Sequence, residues 1–212
     1  MRNKKNFGKN LVIDLMQYKP PFKSKATQWG INKEPLARKA YEQRCKKDHS
    51  HFSVTEVGLF VSVNYPFLAA SPDGLVECAC HGKGCLEIKC TWTHGDKTVK
   101  EAAEAPGTCL TVTSDKGLKL KTSHTYYPQV QLHIEASSTY YCEFFYCTSN
   151  DYHKERIFHD RKFWERSLPK LEAFFEKCIV PELITGRLRE KVEAQGFIKD
   201  LLNAILASIF KT

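Results

Sequence analysis

The chain has 212 residues and a mass of 24.3 kDa, room for one large domain or two small ones. A hydrophobic content of 42% with 12% aromatics belongs to a packed globule rather than a disordered chain, and no run of about eighteen apolar residues could span a bilayer. Residues 1–50 hold 13 Lys and Arg against 4 Asp and Glu, whereas the rest hold 19 against 20, so the whole net charge of +8 sits at the front. A front of that sign suits a polyanion; a merely solubilising arm is the plainer alternative.

Residues 1–25 read as a basic arm or a weak strand over Leu11–Leu15. The charged start is followed only by Leu11-Val12-Ile13 before Asp14, too short for the core of a secretion signal. A helix is expected from Thr27, as N-cap, to Arg44, with Pro35 in its first turn if the helix proper begins near Lys33. Strand-like runs follow at Val57–Val63, Gly74–Val76 and Leu86–Cys90, punctuated by Pro66 and by Ser71-Pro72-Asp73-Gly74. Then come a short helix (Thr98–Glu104), a hairpin pairing Cys109–Val112 with Leu118–Lys121, and a helix from Pro128 to about Ala136. Two aromatic strands, Tyr140–Thr148 and His153–Phe158, precede closing helices at Arg161–Cys178, interrupted at Pro169, and through Leu201–Phe210. The fold class is α/β, a mixed sheet flanked by helices.

Nine cysteines, an odd number scattered from Cys45 to Cys178, fit reduced thiols better than a disulfide framework. The expectation is an intracellular, reducing compartment, nucleus and cytoplasm undistinguished, and no membrane association. Cys78, Cys80, His81 and Cys85 form a loop rich in soft ligands. Its spacing matches no zinc knuckle, so a structural Zn²⁺ there is the lesser reading.

In Leu86-Glu87-Ile88-Lys89-Cys90, strand alternation sets Leu86, Ile88 and Cys90 toward a core and puts Glu87 with Lys89 on the other face. Alone, that pair is an ordinary solvated strand face. Asp73, at the entry to the preceding strand, changes the reading: two carboxylates from adjacent strands suit a hard divalent cation, and a neighbouring Lys can hold or activate water. For the two to meet, Asp73 must lie opposite Glu87 and Val76 opposite Gly84, leaving Glu77–Lys83 as a seven-residue loop. A tight turn at His81-Gly82-Lys83-Gly84 would instead offset Asp73 by five residues, about 17 Å. The first register is the one expected here.

Four blocks in order resemble the PD-(D/E)XK nuclease superfamily, in its lambda exonuclease branch, the YqaJ-like viral recombinase family. They are Thr27-Gln28-Trp29-Gly30 with Glu34, Ser71-Pro72-Asp73-Gly74, Leu86-Glu87-Ile88-Lys89-Cys90, and Tyr126-Tyr127-Pro128-Gln129-Val130-Gln131. The resemblance implies a restriction-endonuclease-like sheet over residues 26–184, between the arm and a C-terminal helical extension at 185–212. It implies Mg²⁺- or Mn²⁺-dependent exonucleolytic hydrolysis of DNA, at duplex ends, in recombination, repair or a viral or mobile-element setting. Asp73, Glu87, the Ile88 carbonyl and Glu34 would hold the metal, Lys89 would orient or activate water, and Gln131 would reach the phosphate or the water. A recombination or single-strand-binding protein partner and a homo-oligomer are compatible with it. With 33 residues before Glu34, the helical region upstream in the bacteriophage enzyme is expected to be shortened or absent. A catalytically inactive DNA-binding module of the same fold is the alternative.

Overall fold

The computed structural model describes residues 4–20 and 23–195; the expected helix at Leu201–Phe210 lies outside them. In chain order the elements are α1 (Lys4–Leu15), α2 (Lys25–Asp48), β1 (Ser53–Thr55), β2 (Phe60–Val61), β3 (Ala69–Ala70), β4 (Gly74–Cys78), β5 (Gly82–Cys90) and α3 (Val99–Glu104). They continue with β6 (Leu110–Val112), β7 (Leu118–Leu120), α4 (Tyr126–Ser137), β8 (Tyr141–Cys147), β9 (Tyr152–Phe158), α5 (Arg161–Phe174) and α6 (Val180–Thr185).

The chain divides into two compact units. One is Lys23–Arg161; the other groups the described residues of Met1–Phe22 with those of Lys162–Thr212. In the second unit the front is not an arm or a strand but the helix α1, which buries Val12 and Ile13 and leaves Leu11 and Leu15 exposed. A three-residue apolar run cannot by itself separate strand from helix. Nor does Pro169 interrupt α5, which runs on to Phe174; the irregularity is a π-helical turn at Phe175–Ile179 just beyond.

Among the described residues, the larger unit is built on a five-stranded sheet in the order β1-β4-β5-β8-β9. Only the β5–β8 pair is parallel. That parallel pair demands a crossover, and α3, the β6–β7 hairpin and α4 supply it. On one face α2 lays down Ala37, Tyr41 and Cys45, spaced four apart, against Val76, Leu86, Ile88 and Phe145. On the other, Val130 and Ile134 of α4 pack against Cys85, Cys142, Phe144 and Tyr146. Strand β5 is thus central and covered on both faces, the reason Glu87 lies on no solvated surface.

Two helix starts differ from expectation. Ser24, not Thr27, caps α2: its hydroxyl accepts the Thr27 amide at 3.0 Å. The helix begins at Lys25, so Pro35 lies in its interior and Glu34 well past the first turn. The 24-residue helix absorbs the hydrogen bond that Pro35 cannot donate.

The β4–β5 register carries the site. Gly74 pairs with Leu86, Val76 with Gly84 and Cys78 with Gly82, which continues to Asp73 opposite Glu87. That is the expected register, but the loop is three residues, Ala79–His81, not seven. Gly82 takes a positive φ of 69°, letting the hairpin close tightly without shifting the pairing. Gly84 has its own reason: a Cβ there would lie 2.3 Å from the Tyr141 ring.

Candidate active site

At the end of the hairpin away from its turn, a cavity of about 580 Å³ is lined by Glu34, Asp73, Glu87, Ile88, Lys89 and Gln129, among others. Each comes from a different part of the larger unit: Glu34 from α2, Asp73 from the entry to β4, residues 87–89 from β5, and Gln129 from α4.

Glu87 is 1% exposed. Lys89 Nζ contacts its Oε1, and His133 Nε2 lies 2.8 Å from its Oε2. Neither contact has the alignment of a hydrogen bond. Burial pushes the Glu87 carboxyl up, but His133 and Lys89 outweigh it and hold the group below the ordinary range. Lys89 is the reciprocal case: burial lowers it, while Glu87 and Asp73 more than offset that and leave it raised. Its ammonium also sits 4.7 Å above the Tyr126 ring.

Asp73 behaves oppositely. Burial first, then repulsion by Glu87, pushes it up to about 7, against the lowering effect of the Ile88 amide, which donates to Asp73 Oδ2 at 2.6 Å. Glu34 adds to that repulsion, although its own Oε1 is 2.5 Å from Arg38. Lys89 and His133 hold Glu87 low, but Asp73, buried and repelled by Glu87 and Glu34, is pushed toward neutrality and is short of positive charge. A hard divalent cation fits that deficit.

All the residues expected at the site are near one another except Gln131. Its Nε2 donates to the Phe158 carbonyl at 3.0 Å and its Oε1 accepts the Asp160 amide at 2.8 Å, with no exposed surface left. Gln129 lines the cavity in its place. Helix geometry decides between them: Tyr126, Gln129 and His133, three and four apart, share the stripe that faces β5. His133 itself escaped the sequence reading. The same i, i+4 step from Gln129 could have found it.

The model of the YqaJ-like viral recombinase domain matches residues 7–140 of this chain. No curated protein matches it. Among solved structures, the alkaline exonuclease LHK-Exo from Laribacter hongkongensis is similar with a TM-score of 0.58 and 23% identity, over 95% of this chain and 88% of that one. LHK-Exo in complex with dAMP gives the same TM-score and identity over 94% and 86%. At that identity the likeness speaks to the fold: a mixed sheet flanked by helices.

Proposed function

Since the chain belongs to the YqaJ-like viral recombinase family, we propose that its cavity hydrolyses DNA phosphodiester bonds with the help of a divalent cation, Mg²⁺ or Mn²⁺. The substrate would be duplex ends and the setting DNA recombination or repair. One observation carries the reading: Asp73, Glu87 and Lys89 meet in one cavity with Glu34 and Gln129. The similar solved structures are those of an alkaline exonuclease, which supports the reading.

Asp73 and Glu87 would hold the cation, with the Ile88 carbonyl and Glu34 completing the shell, Glu34 through water because Arg38 already engages it. Bound there, the cation supplies charge neutralisation and a more acidic water. The chain's own groups do the rest. Lys89, raised by its acidic neighbours, stays an ammonium at neutral pH, so it orients the attacking water and stabilises developing charge rather than acting as a base. The Tyr126 ring under its amine and the contact with Glu87 fix its position. His133 holds Glu87 from behind. Gln129 offers an amide to a phosphate oxygen, and Gln131 ties α4 to the end of β9.

The test is incubation with end-labelled linear duplex, closed circular duplex and single-stranded DNA, with and without Mg²⁺ or Mn²⁺. Release of nucleotides from linear duplex only with metal, the circle staying intact, is the expected result. Stable binding of DNA with no cleavage under either metal would overturn the reading in favour of the inactive DNA-binding module.

A further inference from the structure

We propose that the turn of the β4–β5 hairpin, together with the C-terminal cap of α2, is a structural zinc site with His49, Cys78, Cys80 and His81 as its four ligands. The proposal is independent of the nuclease reading. None of the four residues lines the acidic cavity.

The geometry is that of a first coordination shell. Cys78 Sγ and Cys80 Sγ are 3.3 Å apart, Cys80 Sγ lies 3.2 Å from His49 Nδ1, and Cys78 Sγ lies 3.5 Å from His81 Nδ1. All four donor atoms fall within 4.8 Å of one another. Zn–S bonds of about 2.3 Å and Zn–N bonds of about 2.0–2.1 Å set the corners of a tetrahedral site about 3.3–3.8 Å apart. Two thiolates and two imidazoles in that arrangement select zinc over the hard cations that suit the carboxylates.

The backbone prepares the cluster. Gly82 closes the three-residue loop, which brings Cys78, Cys80 and His81 together, and the Ala79 amide donates to the Ser50 carbonyl at 3.0 Å, pinning the turn beside His49. Cys85, grouped with this loop in the sequence, is not a member: it is buried in the core on the α4 face, its thiol 3.6 Å from the Tyr141 carbonyl.

An ion there would join the end of α2 to the tip of the hairpin. Glu34 lies fifteen residues back along the helix from His49, about 22 Å, and Glu87 five residues along β5 from Gly82, about 17 Å. At that distance its part is to fix the two elements that carry the acidic residues, not to touch DNA.

Full-length protein purified without chelator should contain about one zinc per chain by elemental analysis. Cys80→Ser and His81→Ala should each lose it, while Asp73→Asn keeps it. Cys80 and His81 are exposed, so without a metal role either substitution would leave the melting temperature nearly unchanged; a fall of at least about 5 °C is expected instead. Cobalt(II) added to the zinc-free wild type should give the visible bands of a tetrahedral ion with thiolate charge transfer, a readout that needs no variant. The proposal is overturned if the wild type neither carries zinc nor takes up zinc or cobalt at micromolar concentration. Full zinc content in Cys80→Ser, or a Cys78–Cys80 disulfide in the native protein, would overturn it equally.

Discussion

One hairpin holds two clusters of opposite chemical character. At the open end of β4–β5 the groups are buried carboxylates, of which Asp73 is pushed toward neutrality; at the turn they are thiols and imidazoles, half-exposed and in mutual contact. Helix α2 spans the same interval, with Ala26 to Glu34 beside the first cluster and His49 in the second. Buried oxygen donors can be left repelling one another, because an exchangeable cation relieves them. Sulfur and nitrogen donors at an exposed turn have no such need, and their contact makes sense as a permanent fastening.

The largest effect that separates the two ends is on cleavage. Asp73→Asn or Glu87→Gln should lower the cleavage rate by about a thousandfold or more, with DNA binding unchanged or tighter because less negative charge faces the phosphates. Lys89→Ala should fall nearly as far with metal still bound. Cleavage assays on linear duplex beside binding isotherms check this. Wild-type turnover in Asp73→Asn would remove the acidic cluster from the chemistry.

The next effect separates neighbouring glutamines. Gln129→Ala should slow cleavage about 10–100-fold with little change in melting, whereas Gln131→Ala should cost about 1–3 kcal/mol by removing its hydrogen bonds to the Phe158 carbonyl and the Asp160 amide. Kinetics together with thermal melts of both variants distinguish them. A stability loss in Gln129→Ala but not in Gln131→Ala would reverse the two roles.

How these positions read from sequence differs for physical reasons. The register of Asp73 against Glu87 was legible, because the chemistry of two carboxylates overrode a turn preference of only about 1 kcal/mol. The burial of Glu87 was not, since its cover, α4, arrives after a crossover of some forty residues. Helical spacing showed that Gln129 and Gln131 diverge but not which of them faces β5; the contacts of Tyr126 with Lys89 and of His133 with Glu87 decide that. Cys85 parts from the cysteine loop because alternation along β5 turns it into the core, and His49, twenty-nine residues before Cys78, joins the cluster of thiols and imidazoles by no local spacing.

A third effect concerns pH at the acidic end alone. The Asp73 carboxyl is raised from 3.8 to about 7, so the folded protein holds a proton there that the unfolded chain has lost. Stability therefore falls as pH rises from about 4 to about 7 and levels off above, a contribution of about 2–4 kcal/mol. Mg²⁺ competes with that proton, so its stabilising effect should be clearly larger at pH 8 than at pH 6, and metal-free Asp73→Asn should melt above the wild type at pH 8. Melts at both pH values with and without Mg²⁺ check the sign. An Mg²⁺ shift equal at the two would mean that the ion does not displace the Asp73 proton.

The smallest expected effect uses α2 as a ruler between the two ends. Lys25 and Lys33 are chain neighbours of the cavity residues Ala26 and Glu34, while Lys46 and Lys47 occupy the last turn, beside His49. If DNA lies over the acidic end, the first pair follows its phosphates and the second does not. Each phosphate contact contributes about 0.9 to the slope of log affinity against log salt. Changing Lys25 and Lys33 together to Gln in the Asp73→Asn background, where DNA is bound but not cut, should flatten that slope by about 1–2. The Lys46 and Lys47 double change to Gln should leave it in place, although it removes the same net charge. Equal flattening by both pairs would mean that the basic front acts as a diffuse field rather than a track, and the position of the DNA on α2 would no longer follow from the position of the carboxylates.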